Sequence, residues 1–193
     1  MKKNTLLNIA IVICKFLRLF YFIVFLMLTG LFIHFQVSPS SYENVDFKTK
    51  LNDNGISMGS TSYKIHVDGK APDDYDVFVL NKLKRSSLYF NYLKFTALLL
   101  LIYLCVKEFQ KVIDSVKEIK TFQKVNVSSF KKIGKYLLII TVLIGYSSFT
   151  FQGGGKSGFY IPFTPLVLSL LAYIMAEIFK EGNNLLEEYK LTV

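Results

Sequence analysis

The chain of 193 residues is too apolar for an ordinary soluble domain, since 52% of its residues are hydrophobic and its mean hydropathy is +0.38. The charged residues, 19% of the total, lie in blocks between long apolar runs, which is typical of a helical membrane protein. The net charge of +9 favours a topogenic and lipid-facing role over nucleic-acid binding, because eight lysines fall between Lys107 and Lys135.

The first segment, residues 1–35, is predicted to be a cytoplasmic lead-in followed by a membrane span. Its apolar run is much longer than the roughly 7 to 15 residues of a signal-peptide core, which favours an uncleaved span. Leu17–Phe35 can cross a hydrocarbon core of about 30 Å at about 1.5 Å per residue. Lys15 and Arg18 would then extend to the headgroups at the cytoplasmic interface.

Residues 36–87 are rich in Ser, Asn, Asp and Gly, which predicts a small β-rich insert outside the cytoplasm. Tyr63, Ile65 and Val67 alternate with polar residues and precede an Asp-Gly turn at 68–69. Further strands are predicted at Asp76–Leu80 and on either side of Asp53-Asn54-Gly55. We expect three or four short strands against the membrane surface.

The rest of the chain alternates between apolar and polar segments. It predicts, in order, a second span with an amphipathic cytoplasmic extension (88–123), a cytoplasmic loop (124–132), a third span (133–151), a flexible external turn (152–163), a fourth span (164–181) and a cytoplasmic tail (182–193). The predicted fold is therefore an all-α integral membrane protein with four transmembrane helices, both termini in the cytoplasm and the β-rich insert between the first two helices.

The external turn contains Gly155-Lys156-Ser157, the end of a phosphate-binding loop motif. That motif needs a glycine five positions before Gly155, where this chain has Thr150, and no strand is predicted ahead of it. We therefore expect no nucleotide site there.

No catalytic, metal or cofactor constellation is predicted, so we expect a protein that is not an enzyme. Glu177, near the inner end of the fourth span, is the acidic residue at membrane depth. Its predicted role is an ion pair with Arg18 or Lys15 that ties the first and last helices together; a proton relay is the alternative.

Two stretches carry a resemblance to a known family. Residues 176–193, AEIFKEGNNLLEEYKLTV, are similar to the closing signature of the bacterial membrane proteins of domain-of-unknown-function family 2975. Residues 122–134 resemble the same family's pattern before the third span through Phe122, Asn126, Phe130 and Gly134, whereas Thr121 stands where the family usually has proline.

The resemblance implies four spans in a bacterial inner membrane, with no established activity. Members are often encoded beside a small helix-turn-helix regulator of the Cro repressor type, which suggests such a regulator as a partner. Both patches fall on the predicted cytoplasmic face, where they form either a self-packed surface or a docking site. The residues of this expected surface are Phe122, Asn126, Phe130, Phe179, Glu181, Gly182, Leu185, Glu188 and Leu191.

We expect a non-enzymatic sensor or regulator that resides in the lipid bilayer and does not itself bind nucleic acid. Two other classes remain open at this point. One is a small transporter or membrane enzyme that uses Glu177, and the other is a subunit of a larger membrane complex.

Overall fold

The computed structural model describes residues 5–48, 57–63, 77–118 and 121–192. Within these ranges the helices are α1 (Thr5–Val37), α2 (Arg85–Lys117), α3 (Lys124–Gly145) and α4 (Phe163–Thr192). The strands are β1 (Asp46–Lys48), β2 (Ser57–Tyr63), β3 (Val77–Val79), β4 (Tyr146–Phe151) and β5 (Gly154–Tyr160), and short 3-10 helices cover Pro39–Tyr42 and Leu80–Lys82.

Three helices of the described chain, α1, α2 and α4, are long and apolar enough to cross a membrane. This property indicates a membrane protein. The third helix, α3, is not among them because its first half carries Lys124, Lys131, Lys132 and Lys135.

The predicted third span, 133–151, differs from the structure at its end. Helix α3 ends at Gly145, and the next residues form strand β4. A Cβ atom on Gly145 would lie 2.5 Å from the carbonyl oxygen of Tyr160, so only glycine lets β5 approach the helix end this closely. The alternation of Tyr, Ser, Phe and Thr in β4 also suits a strand better than a helix.

The glycine-rich segment 152–163, predicted to be a flexible turn, is instead largely strand β5, joined to β4 by a turn at Gln152 and Gly153. Strand β5 is the middle strand of the sheet β2-β5-β4, with both neighbours antiparallel. Glycine at 154, 155 and 158 leaves little side-chain bulk on this central strand; a Cβ on Gly155 would lie 2.9 Å from the carbonyl oxygen of Phe149.

The predicted insert strands are found in part. Strand β3 lies within the predicted Asp76–Leu80, and β1 and β3 form a separate antiparallel pair. The strand predicted from Tyr63 onwards begins where β2 ends, and its remainder, with the turns at 53–55 and 68–69, lies outside the described residues.

One compact unit of the chain comprises Met1–Ile23, Leu99–Thr141 and Phe163–Val193. A face of small residues on α4, formed by Ser169, Ala172 and Ala176, is buried in it. Ser169 Oγ donates a hydrogen bond to the carbonyl oxygen of Gly134 on α3 at 3.0 Å. A Cβ on Gly134 would lie 2.8 Å from the ring of Tyr173, so a small residue is required on α3 as well.

The other unit comprises Val24–Leu98 and Val142–Pro162 and contains the three-stranded sheet. Two polar side chains of α2 attach β4 to the helix. Asn91, which is buried, donates from Nδ2 to the carbonyl oxygen of Ser148 at 3.0 Å, and Lys94 Nζ donates to the carbonyl oxygen of Tyr146. These two side chains therefore supply hydrogen bonds to carbonyl oxygens of β4 that lie next to an apolar segment of α2.

Candidate functional site

The candidate site lies where the loop between α2 and α3 meets α4, and Asn126 is its buried polar centre. This residue, in the first turn of α3, is 0% exposed. Its Nδ2 donates to Ser115 Oγ at 2.9 Å and to the carbonyl oxygen of Thr121 at 2.6 Å. Because one amide group binds both the end of α2 and the loop, Asn126 fixes the path of the chain between the two helices.

A second buried polar group joins α2 to α3 one turn further into the unit. The carboxylate of Glu108 is buried and accepts hydrogen bonds from Ser129 Oγ at 2.8 Å and from Lys111 Nζ at 2.6 Å. A buried carboxylate is tolerated only with such partners.

Neither Glu108 nor Ser129 was predicted from the sequence to be part of a site. The available signal was position, since Glu108 lies four residues before Val112 and therefore on the same inward helix face.

Three phenylalanines from the loop, α3 and α4 form the apolar part of the site. The Phe179 ring lies 5.5 Å from the Phe122 ring and 5.0 Å from the Phe130 ring, between centroids. Phe130 and Phe179 belong to a core cluster with Val112 and Ala176. Such tilted and edge-to-face contacts add specificity to the burial of apolar area.

Gly182 allows the loop to lie directly on α4. A Cβ atom at this position would be 2.3 Å from Cδ1 of Phe122. Helix α4 continues unbroken through Gly182 to Thr192. The role of the missing side chain is to make room for the Phe122 ring.

Beyond Gly182, α4 extends past the core as an exposed amphipathic helix. Leu185 and Leu191 are 65% and 87% exposed, and Glu181 and Glu188 are exposed beside them. One contact between this extension and α3 is a surface ion pair between Lys124 and Glu187 at 3.1 Å, and Asn183 donates a hydrogen bond to the same carboxylate at 3.0 Å.

The predicted ion pair of Glu177 with Arg18 or Lys15 is not formed. The Glu177 carboxylate is exposed and accepts a hydrogen bond from Lys180 on its own helix. Arg18 donates instead to Gln110 Oε1 and to Tyr103 Oη, both at 3.1 Å, and its guanidinium lies 5.2 Å from the Tyr103 ring centroid. Arg18 therefore joins α1 to α2, whereas Lys15 is exposed.

The structure thus divides the residues of the expected surface into two groups. Phe122, Asn126, Phe130, Phe179 and Gly182 form one packed cluster that builds the fold. Glu181, Leu185, Glu188 and Leu191 lie on the exposed surface of α4.

Comparison with known proteins gives one match. The model of a family described as a protein of unknown function, DUF2975, matches residues 69–193, which include every residue of the site except those of α1. No curated protein and no solved structure matches the chain.

Proposed function

The chain belongs to the DUF2975 family of proteins of unknown function, and on that basis we propose that it is a non-enzymatic membrane regulator. In this proposal the end of α4 binds a small cytoplasmic helix-turn-helix transcription factor and holds it at the membrane. The exposed, amphipathic extension of α4 beyond Gly182 is the observation that supports it.

Strand pairing supports a topology with four crossings. Strand β2 precedes α2 and pairs with β5, which follows α3, so the two strands lie on the same side of the membrane. If α2 crosses the membrane, the loop after it lies on the opposite side, and the chain has to return through α3 to reach β5. Helix α3 has 22 residues, or about 33 Å, but its apolar part, 136–145, covers only about 15 Å of a core of about 30 Å, so the strand pairing and not the length of α3 supports this crossing.

The positive-inside rule then indicates which loops lie on the cytoplasmic side of the membrane. The lysines of α3 and of the end of α2 favour the cytoplasm for the loop between these helices. Because α4 returns from β5, its far end is cytoplasmic too, as is the start of α1. We therefore propose an inner-membrane protein of a bacterium with both termini in the cytoplasm.

The chemistry of the α4 extension suits a small basic protein. Leucines at 185, 186 and 191 supply apolar area, and three glutamates against two lysines give residues 180–192 one net negative charge. DNA-binding proteins carry a basic surface for the phosphate backbone, so an acidic partner can cover it. Charge steers the encounter and the leucines supply the affinity.

The transporter hypothesis loses its main support. It depended on Glu177 as an acid within the membrane that relays protons, but the carboxylate accepts a hydrogen bond from Lys180 in the next turn of the same helix. Such an intrahelical pair accounts for the carboxylate without a proton relay. Membership of a larger membrane complex remains compatible with an exposed docking helix.

The test is a binding titration with the full-length protein in lipid nanodiscs and a purified small helix-turn-helix regulator of the Cro repressor type. We expect the double variant Leu185→Ser/Leu191→Ser to weaken binding at least about tenfold, or about 1.4 kcal/mol. The matched control is Leu6→Ser, a leucine that is 82% exposed at the other end of the chain and outside the proposed surface. Equal affinity of the double variant and the wild type, or no binding at all, would contradict the proposal.

A further inference from the structure

A groove of about 390 Å³ on the cytoplasmic half of α3 is lined by four lysines. Its walls are Lys124, Val127, Ser128, Lys131, Lys132 and Lys135. Spacings of three and four residues place these side chains on one face of a helix. Val127 also packs against the core cluster that contains Phe130 and Phe179, and Lys124 is paired with Glu187 of α4.

The lysines of the groove carry excess positive charge. Lys124 is paired with Glu187, but within the part of the chain that the structure describes Lys131, Lys132 and Lys135 form no ion pair. Lys132 interacts electrostatically with Glu108 and Lys131 with Glu177, but Glu108 is bonded to Lys111 and Glu177 to Lys180. Three lysines without an ion pair of their own therefore line one groove together with Ser128.

The groove lies at the boundary between polar and apolar sequence. Immediately after Lys135, α3 becomes apolar from Tyr136 to Ile144. In the topology proposed above, this boundary is the level of the lipid headgroups on the cytoplasmic side. Lysine-rich pockets at that level attract the anionic lipids of the inner leaflet.

We propose that this groove is a binding site for the phosphate of an anionic phospholipid headgroup. The lysines bind the phosphodiester as point charges, and Ser128 can donate a hydrogen bond to one of its oxygens. The acyl chains then lie along the apolar half of α3, which a free phosphate ion would not use. The inference uses the four-crossing topology but not the regulator.

The experiment is native mass spectrometry of the delipidated full-length protein in mild detergent, with phosphatidylglycerol and phosphatidylcholine of identical acyl chains added together. We expect phosphatidylglycerol to be bound in preference. The triple variant Lys131→Gln/Lys132→Gln/Lys135→Gln is expected to lower this preference about a hundredfold, from the usual contribution of each juxtamembrane lysine. The triple lysine-to-arginine variant, which keeps the charge, is expected to retain it.

The matched control removes the same charge elsewhere on the cytoplasmic side, through Lys15→Gln/Lys107→Gln/Lys117→Gln. All three lysines are exposed and none lines the groove. Retention of the lipid preference in this control supports a specific site in the groove. An equal loss of preference in both triple variants would overturn the site, because the overall positive charge of the cytoplasmic side would then explain the binding.

Two further outcomes decide the ligand. Displacement of phosphatidylglycerol by millimolar inorganic phosphate would overturn the lipid assignment in favour of a free anion, and equal binding of the two lipids would overturn it altogether. Should the triple glutamine variant not fold, the single variants apply, each with an expected loss of about fivefold. Regulator binding is not measured here, so the two proposals fail independently.

Discussion

The two halves of α4 differ in what covers them. From Ser169 to Gly182 the helix buries a face against α3 and the loop, and Ala176 is only 1% exposed. From Asn183 to Thr192 the same helix continues with its leucines exposed. This extension of ten residues, 183–192, makes an ion pair with α3 through Glu187 but leaves its leucines exposed. The inner half builds the fold, and the outer half is the part that we propose binds a partner.

This contrast predicts that substitutions in the inner half change stability and that those in the outer half change binding. The largest effect is expected for Phe179→Ala, which removes the ring between Phe122 and Phe130. Truncating a buried phenylalanine costs about 3–5 kcal/mol of unfolding free energy. Denaturant titration of the purified protein in detergent measures the unfolding free energy. The control is Phe163→Ala, which removes an exposed ring from the same helix. Equal losses in the two variants would remove the distinction between core and surface.

A loss of about 1–3 kcal/mol is expected for Asn126→Ala, because the carbonyl of Thr121 and the hydroxyl of Ser115 lose their donor. Hydrogen exchange should show faster exchange at the loop amides of Thr121, Phe122 and Gln123. Asn184→Ala, at an exposed position of the outer half, should leave the rates unchanged. Unchanged loop protection in the Asn126 variant would show that other contacts hold the loop.

A cost of similar size is expected for Gly182→Ala, because the added Cβ meets the Phe122 ring at 2.3 Å. A double-mutant cycle tests the cause. In a Phe122→Ala background the same substitution should cost almost nothing, or even stabilise the helix, since alanine is the better helix former. A cost that stays the same without the ring would contradict the role assigned to Gly182.

The smallest effect on stability is expected for Leu185→Ser/Leu191→Ser. Both leucines are exposed, and surface substitutions usually change the unfolding free energy by no more than about 0.5 kcal/mol. The denaturation midpoint should therefore match that of the wild type while regulator binding falls. A large loss of stability would place these leucines in a contact of the fold and not on a docking surface.

Local patterns accounted for much of this fold before the structure was known. Apolar length indicated α1, α2 and α4, and helical spacing indicated the continuation of α2 beyond its span. The sheet could not be predicted, because β2 pairs with β5 almost a hundred residues further along the chain and no local signal sets such a register. The glycine-rich sequence of β5 is typical of a turn. Its strand conformation depends on pairing with β2 and β4, which the local sequence does not show.

The site could be predicted only in part, because its contacts also depend on distant parts of the chain. Family signatures identified Asn126, Phe130 and Gly182 as important, but their contacts depend on how the helices rotate against each other. Arg18 was assigned to Glu177 by depth alone, whereas the rotation of α1 directs it to Gln110 and Tyr103. The depth of a residue in the membrane can be estimated from the sequence, but the rotation of a helix about its axis is set by its packing against the neighbouring helices.

The most direct test of the central claim is site-specific photocrosslinking in intact cells from position 185. A photoreactive residue at this exposed position of α4 is predicted to crosslink to the helix-turn-helix regulator, whereas one at the buried position 176 crosslinks only within the chain. Crosslinks from position 185 to lipid or to α3 alone would contradict the account, since the outer half of α4 would then have no cytoplasmic partner.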